Sequence, residues 1–509
     1  MTDARQVSST REAVMMSAGL PIDATILLAA GLLVVGILVV GISDRLRLPA
    51  SLLSLGLGMI IGSDVLGWVY VDDAVLVRDL SVIALVIILF EGGLTTKPSA
   101  LRDAGLPGLA LSTVGVAVTA GITAVAVELV FSTGWQTALL LGAVVASTDA
   151  AVVFDLLRRA PLPRRLSDVL EVESGANDPF AIVLTIGLIQ AFEGRVTAGD
   201  WTIFAFSQLV GGLVVGLAVG ALGVLVLRLD LRSQGLYPLV ATGMAGLSYS
   251  LAATASGSGF LAVYITGLVI GAYVPRHRRV IRSFHASLAN GADIGLFLML
   301  GLLVFPSRLG SVAIPALVVT AILVLVARPA AVAIATIPFR FSWREKAVLS
   351  WAGLRGAVPI VLATFPMTAG VADGQTIFEV VFFVVVTSTL VQGTTTVPLV
   401  RRLGLAAEQP AWRSIAEALP LDSSEIDLAE IVITPDLALA GQTLRERPPG
   451  DAIRVIAVLR DGATLLPSGD TVLTVGDTVV VAMDTETVKL TDITAWARGE
   501  GSSPLDPEV

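Results

Sequence analysis

The sequence has no cysteine and only two histidines among its 509 residues. Disulfides, thiolate metal sites and thiol redox chemistry are therefore excluded. His277 and His285 lie near an arginine-rich loop, and we predict no resident metal site there. Walker and dinucleotide-binding fingerprints are also missing, because Gly257-Ser258-Gly259 lies between apolar runs without a strand before it. We expect neither enzyme activity nor a cofactor in the main body of the chain.

Charged residues are scarce, at 15% of the chain, while hydrophobic residues make up 55% and the mean hydropathy is +0.85. Apolar runs of about 20 residues recur, and this is the length that crosses a bilayer as a helix. Residues 1–20 mix charges of both signs without an apolar core, so they do not resemble a signal peptide. The composition predicts a multi-pass helical membrane protein surrounded by lipid, with no nucleic-acid partner.

The acidic residues are concentrated at the C-terminal end. From Gly404 onward there are 18 acidic and 7 basic residues, whereas the preceding 403 residues hold 24 acidic and 26 basic ones. A nearly neutral membrane body therefore carries an acidic soluble tail. We predict an N-terminal tail at 1–21, a membrane domain at 22–403, a linker at 404–424, a tail domain at 425–495 and a disordered end at 496–509.

The apolar runs predict thirteen spans, and an odd number fits two inverted repeats of six spans with a linking helix between them. Basic residues set the orientation. With the N-terminus outside, 19 lysines and arginines lie in cytoplasmic loops and three, Arg78, Arg195 and Arg308, lie on the opposite side. We expect a cell (inner) membrane location with a cytoplasmic C-terminus. The predicted spans are 22–42, 49–66, 77–96, 105–131, 135–157, 166–192, 202–230, 237–254, 259–275, 284–304, 311–337, 344–367 and 376–400.

Span six contains the most informative polar residues. Ser174 and Asp178 are four residues apart and share a helix face, and Glu173 and Asn177 form a second such pair beside it. A carboxylate inside a bilayer costs roughly 2.5–3.5 kcal/mol at a helix centre. A site that holds either a cation or a proton, but not both, is sufficient for exchange. The alternative is a buried, hydrogen-bonded helix contact with no role in transport.

Spans five and twelve are predicted to be broken helices that cross. Ser147-Thr148-Asp149 interrupts one apolar run, and Gly353-Leu354-Arg355-Gly356, followed by Pro359, interrupts the other. A glycine-rich packing face is the alternative for the second segment. Arg328, deep in span eleven, needs a partner in the membrane, and Glu173 is our candidate. The alternative for Arg328 is a side chain that reaches the cytoplasmic interface.

Five motifs in order resemble the monovalent cation:proton antiporters of the NhaP type, relatives of the sodium–proton exchangers. They are Leu89-Phe90-Glu91-Gly92-Gly93-Leu94, Ser147-Thr148-Asp149-Ala150, Glu173-Ser174-Gly175-Ala176-Asn177-Asp178, Ala327-Arg328-Pro329 and Gly353-Leu354-Arg355-Gly356-Ala357-Val358.

The resemblance implies a homodimer in which a core domain moves against a dimerisation domain by alternating access. It implies that Asp178 is the exchanging carboxylate and that Thr148 and Ser174 help to hold the cation. Glu91 is implied as a further ligand, and Glu173 as the partner of Arg328. The pair Asn177-Asp178, in place of two aspartates, resembles the electroneutral branch of this family.

The tail from 425 to 494 has short runs rich in β-branched residues, at 431–433, 453–459, 471–473 and 478–482, and we predict a small α/β domain. Arg460-Asp461-Gly462, Leu466-Pro467 and Gly476-Asp477-Thr478-Val479 resemble the TrkA-C module of potassium-conductance regulators. That module usually dimerises and can bind a small regulatory ligand such as a nucleotide; the alternative is a dimerisation domain without a ligand. The combination resembles the potassium–proton branch, so K+ is preferred over Na+.

A K+ channel is the rival function, and a sensor that has lost transport is a more distant one. No run of residues resembles a selectivity filter, and a titratable aspartate at a broken helix suits exchange better than conduction. A sensor without transport would have no reason to keep Asp178.

Overall fold

The computed structural model describes residues 22–46, 49–71, 73–149, 162–194, 198–274, 277–371, 373–406, 412–414, 426–449, 453–460, 463–484 and 495–499. The predicted N-terminal tail, the second half of span five and most of the linker lie outside these ranges. The chain divides into two compact units. We call residues 22–274 and 284–406 the membrane unit, and the unit that contains residues 412–499 the C-terminal unit.

Among the described residues, the membrane unit has a helix within each range where the sequence predicts a span. Its helices are α1 (Ile22–Leu46), α2 (Ala50–Ile61), α3 (Ala74–Thr95), α4 (Pro98–Ala110), α5 (Val116–Phe131), α6 (Trp135–Val144), α7 (Arg164–Phe192), α8 (Ala198–Leu227), α9 (Leu236–Thr254), α10 (Gly259–Tyr273), α11 (Arg278–Leu302), α12 (Pro306–Ile322), α13 (Arg328–Ala335), α14 (Trp343–Trp351), α15 (Ala357–Thr368) and α16 (Gly374–Arg402).

Five helical stretches of the described residues are long and apolar enough to cross a bilayer, by length and composition alone. Several shorter apolar helices occupy other predicted spans. The fold is therefore that of a multi-pass helical membrane protein, while the count of thirteen crossings stays a prediction. The five stretches are Pro98–Phe131, Arg164–Phe192, Asp200–Leu227, Pro306–Ala335 and Gly374–Arg402.

Helices α3 and α10 pack with their backbones nearly touching. Gly93 of α3 lies against the backbone of Tyr264 and Leu268, and Gly267 and Gly271 of α10 lie against the backbone of α3. In lipid there is little hydrophobic drive between helices, so small residues that allow this close approach stabilise the contact. A side chain at any of the three glycines would push the helices apart.

A large apolar cluster joins α4, α7, α13, α14 and α16. We call it the core cluster, and its fully buried members include Leu166, Val332, Leu349 and Val400. It brings the helix that carries Asp178 against the helix that begins at Arg328. The candidate site is therefore built on a densely packed body.

Two π-helical segments interrupt otherwise continuous helices. Leu111–Gly115 separates α4 from α5, and Leu323–Ala327 separates α12 from α13. In predicted span numbers these are spans four and eleven, which are equivalent positions under a repeat of seven spans. The interruptions of spans five and twelve have the same offset. The two inverted repeats themselves stay a prediction.

The C-terminal unit contains a five-stranded antiparallel sheet in the order β1-β2-β5-β3-β4. Its apolar cluster includes Ile431, Val458, Val479 and Val481. The only helical residues described in this unit after the membrane helices are 495–498, so the predicted α/β class stays a prediction. The strands are β1 (Trp412–Ser414), β2 (Ile426–Val432), β3 (Ile453–Arg460), β4 (Ala463–Leu465) and β5 (Thr478–Asp484).

Three predicted features of the tail need correction. Residues 471–473 are not a strand, because Val472 makes only an isolated bridge to Thr443. The predicted linker contains β1, which pairs with β2. The ordered part continues past 495, because Ala497 is buried in the apolar cluster and the Trp496 indole donates to the Arg447 carbonyl at 3.3 Å. Short amphipathic segments such as these depend on sheet contacts that no local pattern displays.

Candidate cation and proton site

Two extended segments meet within the membrane unit, as the sequence predicts. Helix α6 ends at Val144, and the chain continues through Ser147-Thr148-Asp149 without helical structure. Residues 353–356 separate α14 from α15 in the same way. The Asp149 amide donates to the Leu354 carbonyl at 2.8 Å. This bond links the interruptions of spans five and twelve and satisfies two backbone groups that the breaks release from the helices.

Gly356 lies directly against Asp149. A Cβ atom added at Gly356 would overlap the Asp149 carboxylate oxygen Oδ2. The glycine therefore leaves the space that the carboxylate occupies. On the other side of the segment, a Cβ at Gly353 would meet Arg328 Nε. Both glycines are needed because charged side chains approach the extended backbone closely.

Thr148 is held by two side chains of α7. The Asn177 amide donates to Thr148 Oγ1 at 2.6 Å and to the Thr148 carbonyl at 3.2 Å. The Ser174 hydroxyl donates to the same carbonyl at 3.2 Å. Asn177 is fully buried and Thr148 is 5% exposed. The extended segment of span five is thus fixed to the middle of α7, one residue before Asp178.

Carboxylates gather beside this anchor. Asp178 is buried in α7, and its charge interacts with that of Asp149. The charge of Asp149 also acts on Asp293 of α11. Within the described ranges, Ser147 Oγ, Asn177 Oδ1 and Asp178 Oδ1 are buried and accept or donate no hydrogen bond. Unpaired buried oxygens are rare, since each costs roughly 1–3 kcal/mol.

These oxygens belong to a carboxylate, an amide and a hydroxyl group. In the part of the chain that the structure describes, no group of three His, Asp or Glu residues is arranged to hold a metal ion. Carboxylate, amide and hydroxyl oxygens are hard ligands, which match alkali cations and protons.

Arg355 secures the broken ends. Its Nε donates to the Val145 carbonyl at 2.8 Å, and its Nη1 donates to the Gly353 carbonyl. Val145 follows the last residue of α6, where helix carbonyls lack partners and the helix dipole is negative. A buried guanidinium therefore satisfies the end of α6 and the bend after α14 at the same time.

Glu173 and Arg328 lie together, as the sequence predicts. Arg328 Nη1 is 2.5 Å from Glu173 Oε1, and both side chains are at most 2% exposed. Arg328 Nη2 also donates to the Leu349 carbonyl of α14 at 3.2 Å. The π-helical segment ends directly before Arg328. The pair joins α7 to α13 and leaves Asp178 outside the ion pair.

The remaining predicted ligand, Glu91, lies on α3, and its backbone carbonyl accepts from Thr95 Oγ1 at 3.0 Å. Helix α3 contacts both α7 and α15. The role of the Glu91 side chain as a further ligand stays a prediction.

Sequence patterns give no role to three residues that the structure brings to this site. Thr389 of α16 donates to the Arg355 carbonyl at 2.8 Å, and Gln392 donates to the Trp351 carbonyl at 2.9 Å. Asp293 is the third. An isolated carboxylate in an apolar run could have indicated Asp293, whereas a threonine or glutamine near the end of a long helix gives no comparable signal.

A multi-pass helical protein with two crossing interrupted helices beside buried carboxylates has the architecture of a secondary transporter. The comparison with known families agrees. The chain belongs to the sodium/hydrogen exchanger family, because the transmembrane model of that family matches residues 30–402. A second family, the TrkA-C domain, matches residues 428–492. Both resemblances that the sequence motifs indicated are confirmed.

Curated relatives carry names of cation:proton antiporters, so the chain belongs with transporters and not with enzymes. A K(+)/H(+) antiporter NhaP of Alkalimonas amylolytica is 37% identical over 87% of this chain and 78% of the relative. The K(+)/H(+) antiporter NhaP2 of Shewanella sp. (strain MR-4) is 38% identical over 88% and 79%. A low-affinity Na(+)/H(+) antiporter NhaS1 of Synechocystis is 30% identical over 68% of each chain.

A solved structure supports the fold. The sodium proton antiporter MjNhaP1 of Methanocaldococcus jannaschii at pH 8 matches with a TM-score of 0.68 and 26% identity. The match covers 76% of this chain and all of that one.

Proposed function

We propose that this protein exchanges K+ for H+ across the cell membrane by alternating access. The observation that carries the proposal is the junction of the two extended segments, where Asn177 and Ser174 fix Thr148 next to Asp178. An ionised carboxylate without a counter-charge is energetically costly in the membrane interior. The carboxylate there is therefore expected to bind either a proton or a cation.

Asp178 is the proposed shared site. Its ionised carboxylate would bind a dehydrated cation together with oxygens of Thr148 and Ser174, and its protonated form would release that cation. Proton and cation therefore compete for one site, which couples their movements in opposite directions.

Exchange of one cation for one proton follows if Asp149 keeps a constant protonation state. Asn177 occupies the position where a second carboxylate would sit, and it is already committed to Thr148 through two hydrogen bonds. It cannot carry a proton. Transport is then electroneutral.

The Na+/H+ antiporter is the second candidate. The Synechocystis relative and the M. jannaschii structure both carry sodium–proton antiporter names. We prefer K+ because the two more similar relatives carry K(+)/H(+) antiporter names and align over most of this chain, including part of its tail.

Proteoliposomes with a pH dye inside test the proposal. K+, Na+ or choline is added outside at equal concentration, and the initial rate of internal alkalinisation is measured. We expect the fastest response to K+, a slower one to Na+ and none to choline. A faster response to Na+ at every concentration would select the second candidate.

Current recording on supported membranes tests the stoichiometry. An electroneutral exchanger gives proton flux in the dye assay without net charge movement. A channel gives charge movement in a K+ gradient with no pH gradient, so the same recording also tests the channel alternative. A sustained current coupled to proton flux would assign a second proton carrier, and Asp149 would be the candidate.

The C-terminal unit is proposed to regulate transport from the cytoplasm. Its match to the TrkA-C domain supports this role, and a small ligand such as a nucleotide would act by binding one conformation of the protein better than the other. We also propose a homodimer with the N-terminus outside, on the basis of the family resemblance and of the basic residues in the predicted cytoplasmic loops.

A further inference from the structure

A basic pocket lies in the membrane unit, away from the proposed ion site. Its volume is about 340 Å³, and three arginines, Arg102, Arg165 and Arg340, line it. They come from α4, from the first turn of α7 and from the segment between α13 and α14. All three lie between predicted spans, in segments that the charge distribution assigns to the cytoplasmic side. From Arg165, α7 extends for about 20 Å before it reaches Asp178, at a rise of about 1.5 Å per residue.

The positive charges in this pocket are incompletely balanced. Asp103 is the one acidic residue among those that line it. Arg165 is 3.8 Å from Glu345, a loose contact, and its guanidinium stacks over the Phe341 ring at 4.2 Å. No other ion pair within 4 Å involves these three arginines among the described residues. Three separate elements thus direct like charges to one cavity, an arrangement that an anion would stabilise.

The lining fits a phosphate group attached to an apolar molecule. Guanidinium groups bind phosphate oxygens through paired, charge-assisted hydrogen bonds. The amino-terminal end of α7 contributes further positive potential, since no side chain caps its first turn. Leu106, Pro107, Val169 and Phe339 supply apolar surface in the same pocket. Basic pockets between membrane helices on the cytoplasmic side are typical sites for anionic lipid headgroups.

We propose that this pocket binds a phosphate-bearing anion, either the headgroup of an anionic phospholipid or a soluble phosphate compound. The bound anion bridges α4, α7 and the segment after α13, which surround the core cluster. Helix α4 and the segment after α13 are far apart in the sequence, so a bound anion would link two parts of the chain that no nearby peptide segment joins. Binding therefore stabilises the body that holds Glu173, Asp178 and Arg328, without contact with any of them.

Thermal unfolding of the full-length detergent-solubilised protein tests this site without a transport assay. The probes are dioctanoyl phosphatidylglycerol, with dioctanoyl phosphatidylcholine as its zwitterionic control, and inorganic phosphate, with chloride at equal ionic strength as its control. The pocket variant is Arg102→Gln/Arg340→Gln. The matched control is Arg232→Gln/Arg402→Gln, which removes two exposed arginines on the same predicted side of the membrane.

We expect an anion-specific rise in unfolding temperature for the wild type and the control, and an affinity about tenfold weaker or worse in the pocket variant. Asp103→Asn should bind more tightly, because it removes the acidic residue of the lining. A response to phosphatidylglycerol alone identifies a lipid site, and a response to both probes identifies a soluble phosphate compound. Equal shifts in the pocket and control variants, or no shift with either probe, would overturn the proposal.

Discussion

Asp178 is buried, and its neighbour in the sequence, Asn177, is held in place by hydrogen bonds to Thr148. The charge of Asp149 acts on Asp178. The carboxylate has no part in the Glu173–Arg328 pair. Asp178 is therefore the acidic group of α7 that we propose as the exchanging carboxylate.

Asp178→Asn should fold, insert and lose cation-driven proton movement. The amide keeps the volume of the side chain and one of its acceptor oxygens, but it cannot take up a proton or balance a cation. Dye-loaded proteoliposomes measure the loss, and thermal unfolding verifies that the protein is intact. Exchange at the wild-type rate in this variant would exclude Asp178 as the shared site.

Glu173 and Arg328 should behave as a coupled pair in a double-mutant cycle. Glu173→Gln or Arg328→Gln alone leaves one buried charge without a partner, which costs about 3–5 kcal/mol. The double variant removes both charges and should recover part of that loss. Unfolding in denaturing detergent measures all four proteins. Losses that simply add would show that the two groups are not coupled.

At the scale of elements, the two interrupted helices act as one structure. The Asp149 amide bonds to Leu354, and Arg355 reaches back to the end of α6. The glycines that border Arg355 permit these contacts because they carry no side chain. At the crossing, each interrupted helix supplies hydrogen-bond partners for backbone groups that the other interruption leaves without helical partners.

Gly356→Ala should reduce the rate of exchange by about tenfold or more, because the new methyl group displaces the Asp149 carboxylate. The protein should still insert, since the crossing backbone bond does not involve Gly356. Gly121→Ala in α5 is the matched control, because no atom lies within 4 Å of the added carbon. Equal rates for both variants would show that the space beside Asp149 has no role in transport.

In the C-terminal sheet, Arg460 of β3 donates to both carboxylate oxygens of Asp477, at 2.8 and 2.7 Å. The amide of Thr474 donates to the same carboxylate at 2.7 Å. These hydrogen bonds, chiefly from Arg460, hold the pKa of Asp477 below its ordinary value. Residues from two separate motifs of the tail therefore form one structural contact.

This lowered pKa predicts how the sheet responds to acid. Asp477 contributes stability that is complete above the unfolded pKa, about 4. The contribution declines as the pH falls further and is lost below the folded pKa. Amide exchange of β3 and β5 peptides in the full-length protein should show this acid sensitivity. The Asp477→Asn variant should exchange faster near neutral pH, because its sheet is less stable. Its stability should also change less between pH 4 and the folded pKa of the wild-type aspartate. An identical acid response in that variant would contradict the assignment.

At the scale of the whole molecule, the chain consists of two units with different chemistry. All five antiporter motifs lie in the membrane unit, and the acidic C-terminal unit has its own sheet and apolar cluster. The membrane-family match ends at residue 402 and the TrkA-C match begins at 428. This separation favours a transporter that works without its tail and is adjusted by it.

Truncation after Leu405 should preserve K+ over Na+ selectivity and change how the rate depends on pH. Leu405 is retained because it packs against the core cluster of the membrane unit. The pH profiles of both proteins in proteoliposomes provide the measurement, with insertion and oligomeric state verified by gel filtration. A truncated protein that is intact but inactive at every pH would make the tail part of the transport machinery.

The sequence by itself determined the membrane class, the helical ranges, the breaks in spans five and twelve and the family. Bilayer thickness dictates the length of an apolar run, and the cost of burying charge makes each polar residue within it conspicuous. Asp178, Thr148 and Arg328 were found for this reason. The pairing of Glu173 with Arg328 could also be inferred, because each buried charge requires an opposite one.

Only the tertiary structure decided which groups meet across the chain. Thr389, Gln392 and Asp293 join the site from helices more than 100 residues away from Thr148, and nothing in their local sequence shows their partners. The local sequence likewise does not show that the three arginines of the basic pocket lie together, or that β1 pairs with β2. A local hydrophobic pattern indicates whether a segment faces lipid, water or the protein interior. Contacts between distant segments depend instead on how the packed helices and strands place their backbones.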